Sequence, residues 1–370
     1  MNVDSKVFLG KRFKDYYLRN EVEPPAGIEQ REFGFGTPED KIKTRHKSFK
    51  SHRELQNFLQ RETPFYISYS AAYYEFPENR TMVDKVWKGA DLVFDLDAEM
   101  PLLDSKKMEG VKEQAINLLE FLTSDFGLPS KSVVVNFSGG KGYHIHCRDD
   151  CVLGLNGEER REIVDYVTAT GLDRNFFFHA VEAPEGVIYS RDPRRKPKVQ
   201  SVMSVGPKAG APGWAGRIYE GVVERVEKTN LSPDVKQKLL SSLAAGVWAG
   251  VEGFRDKSFD NAIRKYSVHL AEDTDKMVTL DTSRLIRLPG SLHGGSGLKA
   301  AVVKDMDEFN PLVDAVAFGD AEVKISIVKD VAKFSLMDRK FGPFKAGEVL
   351  ALPEYASVYL MLKDYAEFVK

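Results

Sequence analysis

The chain has 370 residues, more than a single hydrophobic core usually serves, so one large domain with an insert or a second domain is expected. Hydrophobic residues at 42% and charged residues at 29% fit a globular protein, and a formal net charge of −2 excludes a generally basic nucleic-acid binder, so any such surface must be a local patch. Two cysteines, Cys147 and Cys151, are too few for a disulfide scaffold or a four-cysteine zinc site and fit a reducing compartment.

The N-terminus lacks the apolar run of a signal peptide. The longest uncharged stretch, Leu239 to Val251, is well short of the ~20 residues a membrane span needs, so a cytoplasmic protein is expected. In chain order, Phe8 to Leu18 reads as a helix, Arg31 to Gly36 as a short strand and Phe65 to Ser70 as another. Ala90 to Asp97 alternates, with Leu92, Phe94 and Leu96 on one face and Val93, Asp95 and Asp97 on the other. Ser105 to Leu122 has apolar residues at helical spacing, stopped by Gly127 and Pro129. A β-branched strand, Ser132 to Phe137, leads through the turn Ser138 to Gly142 into a strand with Tyr143, Ile145 and Cys147 on one face and His144, His146 and Arg148 on the other. From about 216 to 268 the pattern is helical, with Ser232 as an N-cap before Pro233. Strand character returns from Thr279 to Pro289 and again beyond Leu298, which argues for a mixed α/β domain.

Three features carry chemistry. Asp95 and Asp97 point the same way on a strand and repel unless a hard divalent cation such as magnesium or manganese sits between them. The bland alternative is a solvated acidic strand end. Ser138-Gly139-Gly140-Lys141-Gly142-Tyr143-His144 offers backbone N–H groups, a lysine and a histidine to an anion. It reads equally well as a hairpin turn, and it is no P-loop because a strand follows where a helix is needed. His144 and His146 could also pair on a metal. The run from Asp273 to Lys299 supplies carboxylates, then Arg284 and Arg287, then His293 in a second glycine-rich loop, the set a nucleoside triphosphate with its metal ions requires. The basic run Arg191 to Lys198 reads as a template or primer contact or as a solvated loop.

Together, Tyr66 to Ser70, the string Lys85-Val86-Trp87-Lys88-Gly89-Ala90-Asp91-Leu92-Val93-Phe94-Asp95-Leu96-Asp97, Ser138 to His144 and Arg284 to Leu298 resemble the small, catalytic subunit of the archaeo-eukaryotic primase family. Arg31-Glu32-Phe33 and Arg45-His46 add to the likeness, which runs from about Phe8 to Lys304. The resemblance implies a mixed α+β catalytic core in two parts, 1–215 and 269–370, around a mostly helical insert at 216–268. It implies primer synthesis on single-stranded DNA from nucleoside triphosphates, with two Mg2+ or Mn2+ ions, beside a large primase subunit as partner. The family's metal pair falls on Asp95 and Asp97, and its third carboxylate on Asp275, with Asp281 as the competitor. Its nucleotide-binding residues fall on Ser138, His144, Arg287 and His293, with Lys141 beside them. The family's zinc knuckle has no counterpart, because residues 98–110 contain no cysteine or histidine, so no zinc is expected. Two competing expectations remain: a primase-polymerase of repair, which would share this site, and a non-catalytic nucleic-acid-binding subunit, against which the intact carboxylates, histidines and arginine argue.

Overall fold

The computed structural model describes residues 1–182, 188–189, 198–199, 202–248, 251–270 and 278–370. The chain divides into two compact units, one of residues 1–116, 128–164 and 269–370, the other of 117–127 and 165–268. Helices and small sheets are mixed throughout, an α+β fold. Among the described residues, no helix is long and apolar enough to cross a membrane.

In the first unit the elements that matter for function are α1 (Val3–Arg19), β1 (Phe33–Gly36), β2 (Thr44–Lys47), β3 (Tyr66–Ser70), β4 (Leu92–Asp97), α2 (Ser105–Glu120), β5 (Val133–Phe137), β6 (Gly142–Cys147), β7 (Leu285–Arg287), β8 (Ala301–Val303) and α3 (Glu354–Leu362). Helix α1 begins earlier than its apolar pattern indicates because Asn2 caps it, its side chain accepting from the Ser5 amide at 2.8 Å. Two antiparallel four-stranded sheets follow, in the orders β7-β3-β1-β2 and β8-β5-β6-β4. In β4 the alternation read from the sequence holds: Leu92, Phe94 and Leu96 are buried and Asp95 and Asp97 partly open. A third sheet, Glu322–Ile327 with Val349–Pro353 and Ala366–Phe368, carries α3.

Two expectations need correction. Of the segment Thr279 to Pro289, only β7 is strand, because Asp281 makes a turn instead: its Oδ1 accepts from the Ser283 amide at 2.9 Å and the Ser283 hydroxyl at 2.6 Å. Ser232 stands at a helix N-cap with Pro233 following, but its side chain makes no capping bond.

The second unit is built on the helices Gly213–Glu227, Pro233–Ala244 and Arg255–Tyr266, which close around Trp248 with Ile218, Val222, Leu243 and Phe259. It also holds the antiparallel pair His179–Glu182 with Val202–Val205, so this compact body starts well before residue 216. Its polar anchor is Arg217, paired with Asp125 at 2.7 Å and Glu120 at 3.1 Å.

The two four-stranded sheets are tied by a buried charge cluster. Arg31, just before β1, donates from Nη2 to both carboxylate oxygens of Asp91, just before β4, at 3.0 Å each. Its Nη1 donates to the carbonyls of Ser70 and Ala71, at 2.8 and 2.6 Å, where β3 ends. Arg148, following β6, reaches Asp91 at 3.3 Å and the Tyr69 hydroxyl of β3 at 3.1 Å. Arg160 donates to the carbonyls of Asp91 and Ala90 at 2.9 Å each. Burial alone would raise the Asp91 pKa, but His146, Arg31 and Arg148 override it and hold the carboxyl well below the usual range. Removing one partner of such a cluster strands buried charge, so Asp91→Ala is expected to cost about 3–5 kcal/mol of stability. Urea denaturation measures this, and a loss below about 1 kcal/mol contradicts the assignment of a tie.

Candidate active site

Strands β4 and β6 pair so that Asp95 faces His144 and Asp97 faces Gly142. The two aspartates therefore project on one sheet face, with the His144 Nε2 3.4 Å from Asp95 Oδ1. Gly142 is required here, since a Cβ would lie 2.5 Å from Asp97 Oδ1 and 1.8 Å from the Leu96 carbonyl oxygen. The turn before it is closed by the Ser138 amide bonding to the Gly142 carbonyl at 2.9 Å and the Gly140 amide to Ser138 Oγ at 3.2 Å. Lys141, at its tip, places its amino group 3.7 Å from Asp97.

The loop after β7 meets this turn. A Cβ on Gly139, whose φ is +74°, would come within 2.9 Å of His293 Cβ, and Ser296 hydrogen-bonds the Gly139 carbonyl. His293 accepts the Gly295 amide on Nδ1 at 3.1 Å and sets its ring edge-on to Tyr66, centroids 5.6 Å apart. Arg287 pairs across the sheet with Ser68 and lies 5.1 Å over the Tyr66 ring. All these groups line one cavity of about 700 Å³: Asp95 and Asp97 with Ser138, Lys141 and His144, and Arg287 with His293. The structure thus brings together every metal-site and nucleotide-site residue that the resemblance implies except Asp275, which lies outside the described residues, as do Arg191 to Pro197 of the basic run. Asp281 lines the cavity too. His144 and His146 do not form a metal pair: His146 lies 3.6 Å from Asp91, in the buried cluster. Lys41 and Lys363 also line the cavity and carried no signal in the sequence, one standing in a loop and the other after an apolar helix.

Charge distinguishes this cavity from the cluster next to it. Burial raises the Asp95 pKa to about 6, more than Arg284 and Lys141 pull it down. Burial raises Asp97 as well, with Asp95 adding repulsion. Burial lowers His144 to about 4, so the imidazole is neutral at pH 7 and offers Asp95 no compensating charge. Arg287 is lowered to about 10 by burial and still remains charged. Two orphaned atoms mark what the cavity lacks: Asp95 Oδ1 and Arg287 Nη1 are buried with no hydrogen-bond partner. The first fits a cation and the second an anion, which is the donor set for a metal–phosphate ligand. Among the described residues, no three metal-ligating side chains converge, so Asp95 and Asp97 form a two-carboxylate site here.

This arrangement makes stability depend on pH in a defined direction. An aspartate that ionises near 3.8 in the unfolded chain but near 6 in the fold binds more protons folded than unfolded between those values. Its contribution to stability therefore falls as pH rises from about 4 to about 6. Without divalent metal, Asp95→Asn is expected to become more stable than the parent across that window, by about 3 kcal/mol above it. Thermal melts in chelator at pH 4 and pH 7 check this, and a stability difference that does not grow with pH contradicts it.

Comparison with known proteins places the chain. The family model described as DNA primase small subunit matches residues 94–305. The DNA primase small subunit of Methanothrix thermoacetophila is 37% identical, covering 99% of this chain and all of its own. That of Methanocella arvoryzae is 34% identical with both chains fully covered, and that of Archaeoglobus fulgidus 35% identical over 98% of this chain and 99% of its own. The match spans both sheets, the glycine-rich turn and the His293 loop, and so this chain belongs to the DNA primase small subunit family.

Proposed function

We propose that this chain is the catalytic subunit of a DNA primase, a nucleotidyltransferase of DNA replication, and that it joins nucleotides at the cavity between Asp95 and Arg287. One observation carries the reading: a buried carboxylate oxygen of Asp95 and a buried guanidinium nitrogen of Arg287, each without a hydrogen-bond partner, line one cavity. In the reaction a primer 3′-hydroxyl attacks the α-phosphate of a nucleoside triphosphate and pyrophosphate leaves. Asp95 and Asp97 would hold divalent ions, Mg2+ or Mn2+, with a third carboxylate from Asp275 or Asp281. Bound there, such ions supply the Lewis acidity that lowers the hydroxyl pKa and offsets charge on the leaving oxygen. Arg287 donates to triphosphate oxygens and stabilises the charge that develops on them. The neutral His144 and His293 orient phosphate through single ring N–H donors, and Ser138 with the Gly140 amide closes the turn around it. Single-stranded DNA template, primer and a large primase subunit are the partners this reading calls for, in the cytoplasm. Zinc has no part in it. Cys147 and His146 are neighbours on β6 and point to opposite faces, so with Cys151 and His144 they do not make one ligand set.

Primer extension on single-stranded DNA tests the reading. Asp97→Ala is expected to abolish nucleotide addition across a magnesium and manganese titration while melting normally. Arg287→Ala is expected to weaken nucleotide binding by about 1.5–3 kcal/mol, the range for a hydrogen bond to a charged group. Of the separate changes Asp275→Ala and Asp281→Ala, the former is expected to be the more severe. Full activity in a folded Asp97→Ala protein defeats the metal assignment.

A further inference from the structure

Two amino groups in the cavity have no task in the reaction as written. Lys41, from the loop between β1 and β2, and Lys363, directly after α3, both line it. Neither side chain has an ion-pair or hydrogen-bond partner among the described residues; the Lys363 amino group lies 5.8 Å over the ring of Tyr359, on its own helix. Other lysines nearby are engaged, Lys141 with Asp97 and Lys85 with Glu32.

The support behind Lys363 is firm. Helix α3 is buried from Tyr355 to Leu362. Asp364, at φ +57°, stops it in the left-handed region, and the Tyr365 amide closes the turn onto the Leu360 carbonyl at 2.9 Å. The helix is pinned to the His293 loop through Gly297, at φ +73°, where a Cβ would meet Val358 at 2.7 Å and Leu362 at 3.2 Å. Lys363 is therefore presented to the cavity by the element that braces His293. With Lys41, Lys141 and Arg287 it sets four cations around one cavity, an arrangement that suits a polyanion. Burial, then Lys141 and Lys41, lower the Lys363 pKa, as such crowding requires.

We infer that Lys363 and Lys41 bind the terminal β- and γ-phosphates of the incoming nucleotide and the pyrophosphate that leaves. The inference rests on the nucleotidyl-transfer reading and adds its selectivity: the pocket takes triphosphates over diphosphates and monophosphates because only they reach these two amino groups. Phosphate could equally come from a nucleic-acid backbone, so the test has two arms. Calorimetry with a nucleoside triphosphate, the matching monophosphate and inorganic pyrophosphate is run on the parent, Lys363→Ala, Lys363→Arg and Lys41→Ala. Fluorescence anisotropy follows a primer–template on the same proteins. Lys363→Ala is expected to weaken triphosphate and pyrophosphate binding about tenfold, the scale of one charge-assisted contact. Monophosphate and primer–template affinities should stay within about twofold of the parent, and Lys363→Arg should retain triphosphate binding. In primer extension the loss should fall on KM for the nucleotide. Unchanged triphosphate affinity in Lys363→Ala overturns the inference, and so does a loss confined to primer–template. Should Lys363→Ala fail to melt cooperatively, Lys41→Ala, in an exposed loop, decides by the same criteria. A parent protein that binds triphosphate but extends no primer would instead refute the transferase reading.

Discussion

The bidentate pair between Arg31 and Asp91 joins the start of one four-stranded sheet to the start of the other, and residues of both sheets line the cavity. Arg31 is wholly buried, as is Asp91 within 1%. Each is costly to bury alone, and the cluster is tolerable because both carboxylate oxygens accept from Arg31 and one of them also from Arg148. The buried Glu32 carboxylate, just before β1, also pairs with Arg45 of β2 at 2.9 Å and with the buried Lys85. Rigidity here matters to the proposed function, in which a two-carboxylate metal site and a phosphate site on separate sheets would have to keep their spacing without ligand present.

The contrast along a single strand face is the chemical core of the molecule. Asp91, Val93, Asp95 and Asp97 alternate to one side of β4 and its lead-in, opposite His146 and His144 of β6. At one end the charge is cancelled by two arginines, and the carboxyl is held far down. At the other end a neutral histidine and one lysine 3.7 Å away leave two carboxylates uncompensated, with pKa values pushed up. The first end builds the fold. The second leaves a charge deficit that the proposed function would fill with a divalent ion, while Arg287, Lys141 and Lys363 in the same cavity would take phosphate.

Much of this was legible in the sequence, for local reasons. The alternation in Leu92 to Asp97 fixed which residues face the cavity, because period two leaves no other choice once Leu92, Phe94 and Leu96 are buried. The turn from Ser138 to Gly142 was legible from its glycines, and the structure gives Gly142 a specific reason, its contact with Asp97. What escaped depended on contacts distant in the chain. Arg31 and Asp91 are 60 positions apart and look like any surface charges until the sheets meet. Lys363 follows a helix apolar all round, whose lack of a polar face hides which residue its end presents. The strand expected over Thr279 to Pro289 shrank to three residues because the Asp281 side chain competes with the ladder for backbone donors. The second unit takes in 117–127 and runs on from Asp165, well before the first strongly helical pattern, and includes the strand pair at 179–182 and 202–205.

Counting bound Mn2+ by electron paramagnetic resonance tests the central claim most directly, in the parent and in the Asp95→Asn/Asp97→Asn double variant, each with a nucleoside triphosphate. The account predicts protein-bound Mn2+ in the parent and its loss in the double variant, with a melting profile in chelator no worse than the parent's. Equal Mn2+ binding by both proteins would show that the charge deficit on β4 is not where the ions sit.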